Sequence, residues 1–402
     1  MRSDARYFAA SLLRRLQQTH LKHSFCCYGT QKSVLMGIGR ASSLELSKTG
    51  TLDAIWESIH QYIHTNTNEY IFGFIGFDPA NQLQKKIVTY QQKIDLFVAD
   101  IVIECTADSF TILKGNLDSA TLDELTDPVE ISAIDICKLD HIELRKQYAE
   151  SVLQLINAIK SGFIERVTLA RKIPSPCEFD LAATFIADYS QHEVARSFYF
   201  SNGHIAFAGQ SPELLAEGNC QSFVTHKLSG THEKQDGLPI ATLTRHFQND
   251  SRIVAEHHSA IISIENSLNN IGQVKATKFE VMKLPTLLHG WSKFITHPKQ
   301  HVRVADCLRS IFPFGANPLK PAFELLAQHE NFQRGPYYGL TGCIQPDGQF
   351  SFTQVLRSAF IDKNSSYLMA GAAITAHSTP EIETGETCTK LYSIQVFNKR
   401  CD

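Results

Sequence analysis

Hydrophobic residues recur at helical spacing in several parts of the chain. In the basic segment 2–15 they lie on one side, and this predicts an amphipathic first helix rather than a transit peptide. A second helix is predicted to end near Gly162, from the apolar stripe Tyr148, Val152, Leu155, Ile156 and Ile159. A third is predicted over residues 251–268.

Short apolar runs between turn residues predict β-strands over residues 70–77, 101–105 and 110–113. Hairpins are predicted for residues 198–208, around a Ser-Asn-Gly turn, and for residues 350–375, around Lys363-Asn364. Hairpins with interspersed helices are typical of an α+β fold, in which helices cover antiparallel sheets.

Residues 164–171 alternate as a strand does. Val167 and Leu169 face one side of this strand, and Arg166 and Thr168 face the other. The strand therefore presents a cation on its polar side.

Composition limits the class of protein. The 402 residues are 43% hydrophobic and 20% charged, as in globular proteins, and no apolar run reaches a membrane-spanning length. A formal charge of −3 gives no electrostatic reason to expect nucleic-acid or membrane binding. The ten cysteines are scattered without a Cys-x-x-Cys pair, which disfavours structural zinc and disulfides and favours the reducing cytoplasm.

A helix predicted near the C-terminus carries three charged residues on one face. A strand is expected to end in a small-residue turn at Gly371, and Pro380 suits the first turn of the following helix. Glu383, Glu386 and Lys390 follow at steps of three and four residues. Such a face can hold a hard cation while the lysine meets an anion, although a solvated, salt-bridged helix gives the same pattern.

Eight short segments follow one another from about Lys146 onward. They are RVTLAR (166–171), GQSPELL (209–215), THKLSGT (225–231), Glu256-His257, RGPYYG (334–339), Arg357-Ser-Ala359, AGAAI (370–374) and the helix from Pro380 to Lys390. Read together, they resemble the chorismate-utilising enzymes, which include isochorismate, salicylate, anthranilate and aminodeoxychorismate synthases. Unrelated chains rarely match eight such segments in order.

The resemblance implies one large α+β domain over residues 1–402, with two stacked antiparallel sheets flanked by helices. Residues 1–135 would be a variable N-terminal part and residues 146–398 the motif-bearing catalytic part. The implied activity is a Mg²⁺-dependent isochorismate synthase, which adds water to chorismate as the ring hydroxyl leaves. The product would feed menaquinone or siderophore biosynthesis, and a monomer or weak dimer is expected.

The resemblance also implies roles for particular residues. Magnesium would be held by Glu256 and Glu386, with Glu383 acting through a water. Glu213 would be the general acid, with a pKa raised by burial. The substrate would be met by Arg357 (expected within a strand), Lys390, the backbone amides at Gly371, and Tyr337, Gly230 and Thr231.

Arg166 departs from the family pattern. Members that add water have a lysine base at this position, whereas arginine keeps its proton in proteins. Arg166 can orient a water or a carboxylate, so the base is another group, or the activity is reduced or lost. His226 and Lys227 stand nearby in the THKLSGT segment.

Two alternatives to the isochorismate synthase therefore stay open. One is a salicylate or aminating chorismate enzyme, although Ser229 stands where aminodeoxychorismate synthases that form a covalent adduct have a lysine. The other is a non-catalytic homologue that binds chorismate or a protein partner.

Overall fold

The computed structural model describes residues 4–18, 24–46, 51–76, 94–117, 133–187, 195–233, 239–277, 279–283, 287–313, 315–363 and 365–398. The helices in these ranges are α1 (Ala5–Gln18), α2 (Leu52–Thr65), α3 (Ile136–Leu139), α4 (Ile142–Lys160), α5 (Leu181–Ile186), α6 (Ile240–Asn249), α7 (Ser251–Ile271), α8 (Val304–Ser310), α9 (Leu319–His329) and α10 (Pro380–Tyr392).

The strands of the first half are β1 (Phe25–Gly29), β2 (Val34–Ile38), β3 (Ser42–Ser43), β4 (Ile71–Ile75), β5 (Ile94–Val98), β6 (Ile101–Cys105), β7 (Phe110–Lys114), β8 (Arg166–Ser175), β9 (Arg196–Ser201) and β10 (Ile205–Ser211). Those of the second half are β11 (Leu214–Gly218), β12 (Phe223–Glu233), β13 (Gly272–Ala276), β14 (Glu280–Lys283), β15 (Leu287–Pro298), β16 (Ala316–Asn317), β17 (Leu340–Ile344), β18 (Phe350–Gln354), β19 (Ser358–Asp362) and β20 (Ser365–Ile374).

These strands form two antiparallel sheets. The first has the order β16-β8-β20-β19-β10-β9-β1-β2-β6-β7. The second has the order β13-β15-β12-β11-β18-β17-β4-β5-β3, with β14 paired to β15. Aromatic residues join the two sheets, since the Phe74 ring of β4 meets the rings of Phe200 and Phe207 edge-on at centroid distances of 4.9 and 5.4 Å. The predicted α+β fold with two stacked antiparallel sheets is thus confirmed.

The helices predicted from periodicity are present. The first corresponds to α1, whose buried leucines pack on the first sheet. All five residues of the Tyr148–Ile159 stripe are buried on α4, which ends at Lys160. Helix α7 extends the third predicted helix to Ile271. No helix in the described part of the chain is both long and apolar enough to span a membrane.

Two local predictions near the C-terminus are wrong. The run 350–361 is not one strand, because β18 pairs with β17 in the second sheet while β19 pairs with β20 in the first. Arg357 therefore lies in the crossing between the sheets, with a φ of 51°, and not inside a strand. Gly371 is not in a turn, since β20 continues to Ile374 and pairs Gly371 with Ala170 of β8.

Buried ion pairs hold strand β8 in place. The polar side of this strand, with Arg166 and Thr168, lines the cavity described in the next section. The Arg171 guanidinium donates to Asp140 at 2.5 Å and to Thr387 of α10 at 2.8 Å. Arg334 donates to the Thr168 carbonyl at 2.6 Å and pairs with Glu330 at 2.5 Å, and Glu330 accepts from the Ala170 amide. The two motif arginines, Arg171 and Arg334, thus hold the strand in place.

We expect Asp140→Asn to lower the free energy of unfolding at pH 7 by about 3–5 kcal/mol, because the nearly buried Arg171 would lose its carboxylate. Burial alone would raise the pKa of Asp140, but the hydrogen bonds and charge of Arg171 bring it below its ordinary value. The ionised carboxylate therefore stabilises the fold above the unfolded-state pKa of about 3.9, and this is lost as the pH falls through the lower folded-state pKa.

Urea unfolding at pH 7 and pH 3 checks this expectation. The variant should lose less stability than the native protein between the two pH values. Asp53→Asn, which removes an exposed partner of Arg309, is the matched control and should change little. Equal losses in both variants at pH 7 would contradict the expectation.

Candidate functional site

A cavity of about 420 Å³ lies where the two sheets approach α7 and α10. The following polar residues of its lining come from three strands, one helix and three connecting segments: Arg166, Thr168, Glu213, Lys227, Ser229, His289, Tyr337, Tyr338, Arg357, Glu386 and Lys390. Of the predicted site residues, Glu213, Arg166, Arg357, Lys390, Gly371, Tyr337, Gly230 and Glu386 line this cavity. Residues distant in the sequence are therefore brought to one place.

Glu213 and Lys227 form an ion pair at the cavity wall. Glu213 precedes β11, and Lys227 lies in the neighbouring strand β12. The Lys227 ammonium contacts Oε1 of Glu213, and the two side chains are 22% and 7% exposed. Burial alone would lower the pKa of Lys227, but the Glu213 carboxylate raises it above its ordinary value. The predicted general acid thus has a cationic partner that was not assigned from the sequence.

The alternation of β12 separates Lys227 from its neighbour His226. Successive side chains of a strand point to opposite faces, so only one of the two can face the cavity. His226 is buried with its ring edge-on to Trp291, at a centroid distance of 5.3 Å. Lys227 is the one that lines the cavity.

Arg166 lies at the start of β8, on the rim between the cavity described above and a second cavity of about 700 Å³. Its guanidinium donates to Ser263 Oγ of α7 at 2.9 Å. Arg166 is half-buried, so it retains contact with solvent as well as with the cavity.

Arg357 is held by a chain of hydrogen bonds that includes His289 of β15. The guanidinium donates to the Lys390 carbonyl at 3.1 Å and contacts Ser393 Oγ. Its Nη2 lies 3.4 Å from Nε2 of His289, whose Nδ1 lies 3.2 Å from the Gly230 carbonyl. Burial, with the charges of Arg357 and Lys390, lowers the pKa of His289 to about 3. A neutral His289 can therefore donate to Gly230 and accept from Arg357.

Gly230 meets a backbone requirement at a bulge in β12. Its φ is 72°, and an added Cβ would lie 2.7 Å from Cγ2 of Ile253. Thr231 follows it in β12, and its side chain lies outside the described part of the structure.

Lys390 reaches back from α10 to the strand beside it. Its ammonium donates to the Gly371 carbonyl at 2.9 Å and pairs with Glu386 at 2.5 Å. An added Cβ at Gly371 would lie 2.8 Å from the Leu169 carbonyl, so a glycine allows the close approach of β20 and β8. The ladder fixes the backbone at Gly371, and its carbonyl faces a cation.

Tyr337 is buried, with its ring edge-on to Phe360 at 6.2 Å. Its hydroxyl oxygen would lie 3.3 Å from a Cβ at Gly371, which places it beside the cavity wall. The next residue, Tyr338, shares a hydrogen bond of 3.1 Å with Thr168. Tyr337 thus packs in the hydrophobic core and also lines the cavity.

The acidic residues proposed for magnesium lie on α10 and α7. Glu383 is 3% exposed, while Glu386 lies one turn further along α10 and lines the cavity. Burial, and next the charges of Glu383 and Glu386, raise the pKa of Tyr148 well above its ordinary value. The side chain of Glu256, on α7, lies outside the described part. Among described side chains, no group of three or more His, Cys, Asp or Glu could hold a metal.

These carboxylates fit a hard divalent cation as far as they are described. Magnesium prefers oxygen ligands, is bound through one or two carboxylates and keeps several waters. A buried carboxylate next to a second one on the same helix face offers that donor set. Lys390 occupies one oxygen of Glu386, so a bound cation would share that carboxylate with it.

Ser229 and His257 form a second polar contact of the cavity wall. Ser229 Oγ lies 2.6 Å from Nδ1 of His257, and Nε2 of His257 lies 3.0 Å from Ser292 Oγ. Burial and the Lys227 charge lower the pKa of His257 to about 4, so the ring is neutral at pH 7. This contact anchors α7 to β12 and β15.

Sequence reasoning did not assign Lys227, His289 or the Ser229–His257 pair to the site. Lys227 could have been selected, because it stands two residues before the cavity-lining Ser229 on the same strand face. His289 lies in a segment without a motif, and only the pairing of β12 with β15 brings it to Gly230.

Comparison with known proteins places the chain in a family. Residues 20–396 match the family of chorismate binding enzymes, and the chain belongs to it. It is 28% identical to anthranilate synthase component 1 of Thermus thermophilus over 265 residues, 62% of this chain and 56% of that protein. It is 27% identical to the salicylate biosynthesis isochorismate synthase of Pseudomonas aeruginosa over 263 residues, 62% of this chain and 54% of that protein.

A solved structure shares the fold. The menaquinone-specific isochorismate synthase of Escherichia coli matches with a TM-score of 0.74 and 20% identity, over 96% of this chain and 91% of that chain. The alignments with the two sequence relatives span only a little over half the length of each. Membership of the family is therefore established, whereas the reaction is a matter for proposal.

Proposed function

We propose that this protein is an isochorismate synthase, which converts chorismate to isochorismate by adding water as the ring hydroxyl leaves. The proposal is carried by one observation: a single cavity contains two cations suited to carboxylates, Arg357 and Lys390, together with a buried carboxylate, Glu213. Chorismate has two carboxylates and a hydroxyl that departs only when protonated. The cavity offers a group for each of these needs.

Arg357 and Lys390 would bind and orient the substrate. The guanidinium is a rigid fork that matches a carboxylate, and its bonds to the Lys390 carbonyl and His289 fix its direction before substrate arrives. Lys390 supplies a point charge beside the Gly371 carbonyl. Because these cations are fixed in advance, binding costs little side-chain ordering.

Glu213 would hold the proton that the departing hydroxyl takes. Its backbone carbonyl accepts from the Gln354 amide at 3.0 Å and from Thr353 Oγ1 at 2.7 Å, which fixes its position. General acid catalysis requires a proton donor at a fixed place near the leaving group.

Magnesium would be held by Glu386 of α10 and Glu256 of α7, with Glu383 acting through a water. The ion supplies positive charge for a substrate carboxylate, which two carboxylates alone would repel. Lys390, which pairs with Glu386, adds a second positive charge at this end of the cavity.

We expect purified protein with chorismate and Mg²⁺ to form isochorismate, and excess chelator to abolish turnover. Chromatography of the products measures isochorismate formation with and without the chelator. Restoration by Mg²⁺ would show that the chelator acted through the metal. Chorismate consumed equally with and without chelator would contradict the metal assignment, and bound chorismate without product would favour a non-catalytic homologue.

A second candidate is an aminating chorismate enzyme, favoured by the similarity to the anthranilate synthase component 1 of Thermus thermophilus. The same assay with added ammonium separates the two. Anthranilate formed only with ammonium would replace the isochorismate synthase proposal, whereas isochorismate formed without ammonium would support it. Salicylate with pyruvate would indicate that elimination follows water addition.

We also propose a reducing cellular compartment, the cytoplasm, for this enzyme. The nine cysteines among the described residues all carry free thiols. Disulfides are rare where thiol reductants are abundant.

A further inference from the structure

Water addition requires a group that removes a proton from the attacking water. Arg166 cannot do this, because a guanidinium keeps its proton at any pH an enzyme experiences. Its hydrogen bond to Ser263 and its place on the rim suit the orientation of a ligand instead. The base must be another group that faces the cavity.

The lysines among the described residues of the cavity lining are Lys227 and Lys390. Lys390 is committed to the Gly371 carbonyl and to Glu386, at the end of the cavity proposed for carboxylate and metal. Lys227 contacts the carboxylate proposed as the proton donor for the leaving hydroxyl. Lys227 therefore lies where proton transfer is needed.

We propose that Lys227 is the base that activates the attacking water and that it exchanges one proton with Glu213 in each turnover. This inference rests on the isochorismate synthase proposal and adds a catalytic residue to it. It assigns Arg166 to binding and not to proton transfer.

The proton balance closes within the pair. In the resting ion pair, the ammonium transfers a proton to Glu213, which leaves a neutral amine and a carboxylic acid. The water oxygen then bonds to the ring carbon as its proton moves to Lys227 Nζ, and the ring double bonds shift. The C–O bond to the old hydroxyl breaks, and this group takes the Glu213 proton and leaves as water. Lys227 is again an ammonium and Glu213 again a carboxylate.

Burial and a neighbouring charge act on the ammonium of the pair. Glu213 is nearly buried, and the apolar residues Leu214 and Leu215 follow it into β11. In a site of low polarity, burial disfavours the ammonium form of Lys227, while the Glu213 carboxylate stabilises that form in the resting pair. The Arg166 charge acts on Lys227 in the same direction as burial, since it disfavours the ammonium.

Two substitutions of Lys227 test the proposal. We expect Lys227→Met and Lys227→Arg each to lower kcat for isochorismate formation by about 10²–10⁴-fold, with KM for chorismate changed by less than about threefold. Lys227→Arg is decisive, because arginine retains the positive charge and the contact with Glu213 but cannot act as a base. Turnover in Lys227→Arg close to the native rate would overturn the proposal, since charge alone would then suffice.

Arg166→Met is an independent test that leaves the pair intact. We expect it to reduce kcat by less than about tenfold while KM rises, because only ligand orientation is lost. Complete loss of kcat in this variant, with Lys227→Arg active, would make Arg166 and not Lys227 the essential residue and overturn the proposal. Thermal unfolding and chorismate binding by calorimetry verify that each variant is folded.

The activities of the native protein and of Lys227→Met distinguish a wrong proposed function from a wrong role for Lys227. Native protein that forms no isochorismate would refute the proposed function before any variant is made. Native protein that forms it, with active Lys227→Met, would refute only the role of Lys227.

Discussion

Glu213→Gln should lower kcat for isochorismate formation by about 10²–10⁴-fold, with little change in KM for chorismate. The amide keeps the size of the side chain but holds no proton acidic enough for the departing hydroxyl. Lys227 would lose its anionic partner, so its pKa should fall toward the value that burial alone favours. The measurement is initial rate against chorismate concentration, with products resolved by chromatography.

A matched control for this variant is Glu217→Gln. Glu217 lies on β11 and pairs with Arg196 at 2.6 Å, and it does not line the cavity. It therefore reports the cost of breaking a carboxylate–cation pair four residues further along the chain, and we expect its kcat to match that of the native protein. An active Glu213→Gln enzyme would remove Glu213 from the proton path and leave binding as its role.

Arg357→Met should raise KM for chorismate by about two to three orders of magnitude, because a buried charged partner of a carboxylate is worth about 2–5 kcal/mol when truncated. Arg357→Lys should recover only part of this, since an ammonium cannot reproduce the planar fork. Lysine would also lack the contact with His289 that fixes the direction of the guanidinium. Steady-state kinetics and calorimetric binding of chorismate provide the measurement.

Arg196→Lys provides the corresponding control. Arg196 is 8% exposed, a value similar to the 7% of Arg357, but it pairs with Glu217 away from the cavity. We expect KM to be unchanged in this variant. A similar rise in KM for Arg196→Lys and Arg357→Lys would indicate a general loss of structure and not a lost substrate contact.

Local patterns in the sequence predicted much of the fold because burial imposes a period on it. The stripe from Tyr148 to Ile159 could be assigned to one helix face, and all of its members are buried on α4. Val167 and Leu169 of β8 lie in one core cluster, whereas Arg166 and Thr168 form hydrogen bonds with other side chains, as the alternation predicted. Glu386 and Lys390 could be placed on one face of α10 from their spacing alone, and they pair there. These predictions depend on neighbours within about one turn or one strand.

The crossing between the sheets could not be predicted from the same patterns. Residues 350–361 contain no Gly, Pro, Asn or Asp, and such a run does not indicate where one strand ends and another begins. The break at Arg357 arises because β18 and β19 pair with strands of different sheets, and those pairings depend on the whole topology. The left-handed backbone at Arg357 follows from this crossing.

By itself, the sequence determined the four helices α1, α4, α7 and α10, several strands, the α+β class and the collinear motifs that place the chain among the chorismate binding enzymes. Only the tertiary structure decided which polar residues meet. The partners Lys227–Glu213, His289–Arg357 and Arg171–Asp140 are separated by 14, 68 and 31 positions in the chain. Hydrophobic periodicity reflects burial of individual residues, whereas contacts over such separations depend on strand register and sheet order.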